Sequence, residues 1–188
     1  AVLPTEAEAV DLLAAVKNEE IEAPVEEAIR ENLVEVAPKA GKIKKVTTNQ
    51  ILGTTEWTLS NGVRVVIKPT EFKQDEILFS AFSKGGQSLV ATEDLVSAAL
   101  ATDVISVSGI ADMTMTDLQK ALTGKNVSCS PSINANTESI DGGSTVKDLE
   151  TLLQLNYLYF TAPRRDEEAY AMLMSILESQ LANRDKNP

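Results

Sequence analysis

The chain has 188 residues and a formal net charge of −11. Its length suits one domain with a sizeable appendage or two small ones, and its 43% hydrophobic content allows a buried core. No Lys/Arg cluster is dense enough to track phosphates, so nucleic acid and anionic membranes are excluded as partners, and no apolar run approaches the ~20 residues that span a bilayer. Histidine is absent, which removes His-ligated zinc, Ser-His-Asp and Cys-His catalysis from this chain. The lone Cys129 forbids an internal disulfide and reads as a small apolar residue in a strand.

Ala1-Val2-Leu3-Pro4 leads straight into a polar helix and does not read as a signal peptide. Thr5 with Glu8 forms a capping-box pattern that opens an amphipathic helix over residues 6–18. Pro24 opens a second, short helix to about Asn32, with Val25, Ala28, Ile29 and Leu33 on one side. Ten acids against Lys17 and Arg30 make residues 1–36 strongly acidic, which reads as a solvated face. Pro38 to Lys42 is a turn. Ile43 to Thr48 then suggests a lysine-blunted edge strand. Gly53 marks the division between an acidic helical linker, 1–52, and a compact domain, 53–188.

Asn61-Gly62 between two β-rich runs predicts a hairpin of strands at about 55–60 and 63–68. Val63, Val65 and Ile67 alternate with Arg64, Val66 and Lys68, so one face is apolar. A third strand, 75–83, ends at Gly85-Gly86 and belongs with this block. Thr92 reads as the N-cap of a helix to about Val107, ended by Gly109. Thr116 and Gln119 read as a second capping box, for a short helix closed by Gly124. Asn126–Ser130 and Ile133–Ile140 read as strands around a Pro131-Ser132 turn. Asp141-Gly142-Gly143 reads as a turn, with Ser144 capping a helix to Thr161. Pro163 breaks that helix and Asp166 caps the last one. The order predicts an α+β fold, a mostly antiparallel sheet with helices packed on one face.

No self-contained active site emerges, so no catalytic, cofactor-binding or metal residue is assigned. Asp141-Gly142-Gly143-Ser144 lacks the second carboxylate of an aspartic dyad. Gly124-Lys125 lacks the rest of a phosphate loop. Gly85-Gly86 reads as a turn or bulge. Tyr157, Tyr159 and Phe160 read as core, Asp103 as surface or a local cap, and Arg164-Arg165 as a solvated loop beside the capping Asp166.

The run Trp57 to Thr70, then Phe72-Lys73 and Ser83 to Ser88, resembles the start of the second half of pitrilysin/insulinase-type zinc peptidases, the inverzincins. Leu3-Pro4-Thr5-Glu6 and Pro38 to Ile43 are similar to the segment joining their halves, and Gly124 to Thr145 with the two long helices to the rest of the repeat. The resemblance implies a parent of two homologous halves, each of two α+β domains, closing around a peptide. Only the first domain carries His-x-x-Glu-His, which with a distant Glu holds zinc and its attacking water. The helix in the corresponding place here, Asp94 to Ile105, has neither His nor Glu. The resemblance therefore implies a linker plus the third, non-catalytic domain, a piece of the substrate chamber. Its partners would be the remaining peptidase domains and a peptide substrate. It implies no cofactor in this piece, zinc in the parent's first domain, and a periplasmic location by analogy. The alternative is a stand-alone inactive partner subunit or scaffold. The glycine-rich loop by which an inactive processing-peptidase subunit presents substrate is absent.

Overall fold

A computed structural model describes residues 5–18 and 30–184. Among the described residues five α-helices accompany two three-stranded sheets, and all the paired strands are antiparallel. Helix α1 spans Glu6–Asn18, and its capping box is real: Thr5 N donates to Glu8 Oε2 at 2.8 Å. The helix expected from Pro24 lies mostly outside the described residues, and its expected end, Arg30 to Asn32, is not helical.

Strands β1 (Ile43–Asn49), β2 (Thr54–Leu59) and β3 (Arg64–Ile67) form the first sheet. The hairpin forms where Asn61-Gly62 predicts it. Gly62 donates to Leu59 O at 3.1 Å with φ +89, so a left-handed glycine closes a three-residue loop. β1 pairs with β2 from Ile43↔Leu59 to Asn49↔Thr54, so the pairing passes through the Gly53 turn.

The third strand expected with this hairpin, 75–83, does not join this sheet. As β4 (Ile77–Lys84) it pairs with β6 (Thr137–Ser144), which pairs in turn with β5 (Val127–Ile133), in the order β4-β6-β5. Two expected turns are in fact strand. Pro131 sits inside β5, an edge strand, where a missing N–H costs no ladder bond, and the true turn is at Asn134 to Asn136. Asp141-Gly142-Gly143 lies within β6. A Cβ on Gly142 would come 2.1 Å from Ser128 O, so this glycine serves close strand approach rather than a turn.

Helices α2 (Leu95–Ser108) and α4 (Leu149–Thr161) pack on one face of the second sheet, and α5 (Glu167–Asn183) packs on α2. Thr92 begins a 3-10 turn, and α2 starts only at Leu95. Gly109 ends α2 at φ +87, as its position predicts. The capping box of α3 (Met115–Ala121) is Thr114 with Asp117, not Thr116 with Gln119. Asp117 N donates to Thr114 Oγ1 at 3.2 Å, and Asp117 Oδ2 accepts from Thr114 N at 3.3 Å. Ser144 caps nothing. The turn before α4 is held by Asp148, whose Oδ2 accepts from Asn126 N at 2.8 Å and Thr145 Oγ1 at 2.7 Å. Asp166 caps α5 as expected, accepting from Glu168 N at 3.1 Å and Ala169 N at 3.0 Å.

The core gathers Ile110, Met113, Leu118, Ala121, Leu155 and Leu158 where the loop after α2 meets α3 and α4. Leu33 joins it from the preceding arm, only 3% exposed, and its N–H donates to Gln154 Oε1 at 2.8 Å. Beside it Arg30 grips Asp112 in a two-pronged ion pair, at 2.9 and 2.6 Å. Residues 30–35, assigned to the linker from sequence, thus dock on the helical layer.

Candidate functional site

The place to test for chemistry is the end of the second sheet where β4 turns into α2, the position of the motif helix in the resemblance. Gly85 and Gly86 make that turn with φ +143 and +59. Their amides face inward. Gly85 N donates to Asn136 O at 2.9 Å and Gly86 N to Glu138 Oε1 at 3.0 Å. Gln87 N and Ser88 N donate to Asn134 O and Ala135 O, both at 2.9 Å. The turn is therefore clamped to the β5–β6 connection, and its donors are spent on protein rather than held out for an anion. A Cβ on Gly86 would lie 2.2 Å from Asn134 O, so the close approach itself demands glycine.

Helix α2 offers this turn no ligand set. Its Leu95, Ala98, Thr102 and Ile105 are half-buried, and the exposed Asp103 projects alone to solvent. Among the described residues no group of three His, Cys, Asp or Glu side chains could hold a metal ion. Zinc does not fit the residues present here.

The other groups singled out in the sequence settle into structural roles. Asp141 lies on the open face of the second sheet and accepts from Ser80 Oγ at 2.6 Å and Ser139 Oγ at 2.9 Å. Those hydrogen bonds, Ser80 first, hold its carboxyl below the usual range, and no second carboxylate shares its proton. Cys129 lies in β5 as expected, and burial pushes its thiol up to about 11, away from reactivity. Burial likewise raises the Tyr159 phenol beside the core, with Cys129 adding to the effect. Tyr157 and Phe160 are not core: both face solvent, Phe160 at 71% exposure, because α4 turns that side away from the sheet.

Arg164 is more than a solvated charge. It pairs with Asp166 at 3.0 Å. The capping bond from Ala169 N and the Arg164 guanidinium keep the Asp166 carboxyl low. Asp166 N donates in turn to the buried Ser108 Oγ at 3.2 Å, tying the start of α5 to the end of α2. An open groove between residues 32–38 and α4 is lined by Val34, Glu35, Pro38, Glu150, Leu153 and Tyr157, and it brings no nucleophile and base together. Sequence reasoning missed Arg30 with Asp112 because 82 residues separate them, a pairing that no local pattern records.

What the arrangement supplies is a ligand-free version of a strand–turn–helix unit. The chain is 30% identical over 164 residues to a zinc protease PQQL-like protein of Arabidopsis thaliana, covering 87% of this chain and 15% of that protein. The chain resembles a segment of the pitrilysin/insulinase-type peptidases. The periplasmic protease PqqL from Escherichia coli has the same fold, with a TM-score of 0.74 over 98% of this chain and 20% of that one, at 20% identity. The ferredoxin protease FusC, solved in complex with Arabidopsis ferredoxin, matches at a TM-score of 0.70 and 24% identity, over 98% of this chain and 21% of its own. No family model matches the chain. The chain thus spans about a fifth or less of each of these proteins. Among the described residues no helix is long and apolar enough to cross a membrane.

Proposed function

We propose that this chain is a non-catalytic unit of a zinc endopeptidase, a linker followed by an α+β domain that forms part of the chamber in which the parent hydrolyses peptides. The observation that carries the reading is a conjunction. The sequence is 30% identical to a zinc protease over most of its length, yet it contains no histidine. The reacting zinc and its water would be held by another domain of the parent, where zinc polarises the scissile carbonyl and lowers the pKa of the water. This unit would contribute by confinement, holding peptide near that centre and excluding bulk water. Its partners would be the remaining peptidase domains and a peptide or protein substrate. The protein substrate named for FusC and the periplasmic setting named for PqqL support that reading and a periplasmic location.

Residues 1–188, purified alone, are expected neither to take up zinc stoichiometrically nor to cleave peptide. The native protein is expected to be several times longer and to cleave peptide in a chelator-sensitive way. High-affinity, one-to-one zinc binding by the 188-residue chain would overturn the proposal.

A further inference from the structure

We propose that the groove between residues 32–38 and α4 is a peptide-binding exosite, one that takes a short stretch of substrate in which Lys or Arg alternates with large apolar side chains. The inference rests on the preceding reading that this chain is one unit of a larger peptidase, and it adds a site and a substrate chemistry to that reading.

Helix α4 presents two stripes. Thr151, Leu152, Leu155 and Leu158 are buried. Glu150, Leu153, Gln154 and Tyr157 follow one another at helical spacing on a neighbouring stripe, and they form one wall of the groove. Val34, Glu35 and Pro38 stand in the other wall, a segment with neither helix nor strand. That wall is pinned but not packed shut. Leu33 is sunk in the core, its N–H is bound to Gln154 Oε1, and Arg30 is bound to Asp112. The groove is thus formed before a ligand arrives, which spares a ligand the cost of ordering it. Its apolar lining is still open, with Leu153 49% exposed and Tyr157 37%.

Charge and size identify the occupant. Glu35 and Glu150 stand on opposite walls, and no Lys, Arg or His lines the groove. Lys39 and Lys147 lie near the lining residues in sequence but are not among them. Arg30 stands 3.9 Å from Glu35 and gives its two short bonds to Asp112. Two carboxylates flanking an apolar strip favour cations set beside apolar groups and repel an acidic segment. A second copy of a chain with net charge −11 would bring the same acids to the groove, which disfavours a self-pair. The groove encloses about 330 Å³, at the low end for ligand sites. Its helical wall from Glu150 to Tyr157 is about 10 Å long, the reach of about three extended residues. That is room for a short peptide stretch, whereas a folded partner needs roughly 800 Å² of surface.

Fluorescence anisotropy on the native full-length protein, with chelator present to stop cleavage, tests the proposal. The probes are labelled Arg-Leu-Arg-Phe and Glu-Leu-Glu-Phe peptides. The basic probe is expected to bind at least about tenfold more tightly. Glu35→Gln with Glu150→Gln is expected to weaken it about fivefold, Leu153→Ser is expected to weaken it as well, and Glu168→Gln with Glu178→Gln on the distant α5 is expected to leave it unchanged. Equal binding of the two probes, or no binding of either, would overturn the proposal. So would equal weakening by the two double variants, which would mean that the basic probe answers only to the overall acidity of the chain. A cleavable peptide carrying either sequence as a tail then tests the substrate role without chelator. The groove variant is expected to raise KM for the basic-tailed peptide alone and to leave kcat unchanged. Groove-dependent binding without chelator-sensitive cleavage sinks the peptidase reading and leaves the groove a peptide site. Chelator-sensitive cleavage with KM and binding indifferent to Glu35 and Glu150 sinks the exosite alone.

Discussion

Leu33→Ala is the sharpest probe of how the arm is held. Leu33 is 3% exposed and packs among the core residues that include Ile110, Met113, Leu118, Leu155 and Leu158, far from it in sequence. Alanine removes three carbon atoms from a site walled by α3, α4 and the loop after α2. Those elements hold one another and cannot collapse fully onto the space, so both the transfer and the cavity costs apply. The expected loss is about 2–4 kcal/mol, at the middle of the range for buried leucines. For a chain of this length that lowers the melting midpoint by roughly 4–16 °C. Val36→Ala is the matched control. Val36 lies three residues on at 81% exposure and should change stability by less than about 0.5 kcal/mol. Urea unfolding of residues 1–188, followed by circular dichroism, measures both. A Leu33→Ala loss no larger than that of Val36→Ala would show that the arm is not part of the core, and the docking of residues 30–35 would be wrong.

Three further outcomes are expected. Gly86→Ala should cost about 1–3 kcal/mol, because a left-handed φ of +59 and a Cβ 2.2 Å from Asn134 O must both be relieved by moving the β5–β6 connection; wild-type stability would refute the clamp. Cys129, with its thiol pushed to about 11, should react with a disulfide reagent at pH 8 only after unfolding, and prompt labelling of the folded chain would contradict its burial. The carboxyls of Asp148 and Asp166 are held below their ordinary value by the bonds from Asn126 N and Ala169 N respectively. The folded state therefore binds protons more weakly than the unfolded one. Its advantage is whole above the ordinary carboxyl value near 3.8 and fades as pH falls through the lowered folded values. Asp166→Asn should thus destabilise the chain at pH 7 and shrink the acid-induced loss of stability. An unchanged acid limb would remove Asp166 from the account.

Sequence alone determined the features that depend on neighbours in the chain. Asn61-Gly62 set its hairpin, Gly109 ended α2 and Asp166 capped α5, because backbone conformation and capping bonds involve residues a few positions apart. The lack of histidine likewise ruled out a zinc site of the inverzincin kind with no structure needed. Tertiary structure decided whatever rests on partners distant in sequence. Pro131 and Asp141-Gly142-Gly143 carry turn residues, yet the edge position of β5 and the approach of Ser128 make them strand. Tyr157 and Phe160 have core chemistry, and only the packing side of α4 turned them to water. Arg30 and Leu33 looked like linker until Asp112 and Gln154 were brought beside them. The alternation in Val63, Val65 and Ile67 revealed an apolar face, but a pattern of period two says only that a face wants cover. That the face stands open in this chain, while the core forms under the other sheet, is decided by which strands and helices meet in three dimensions.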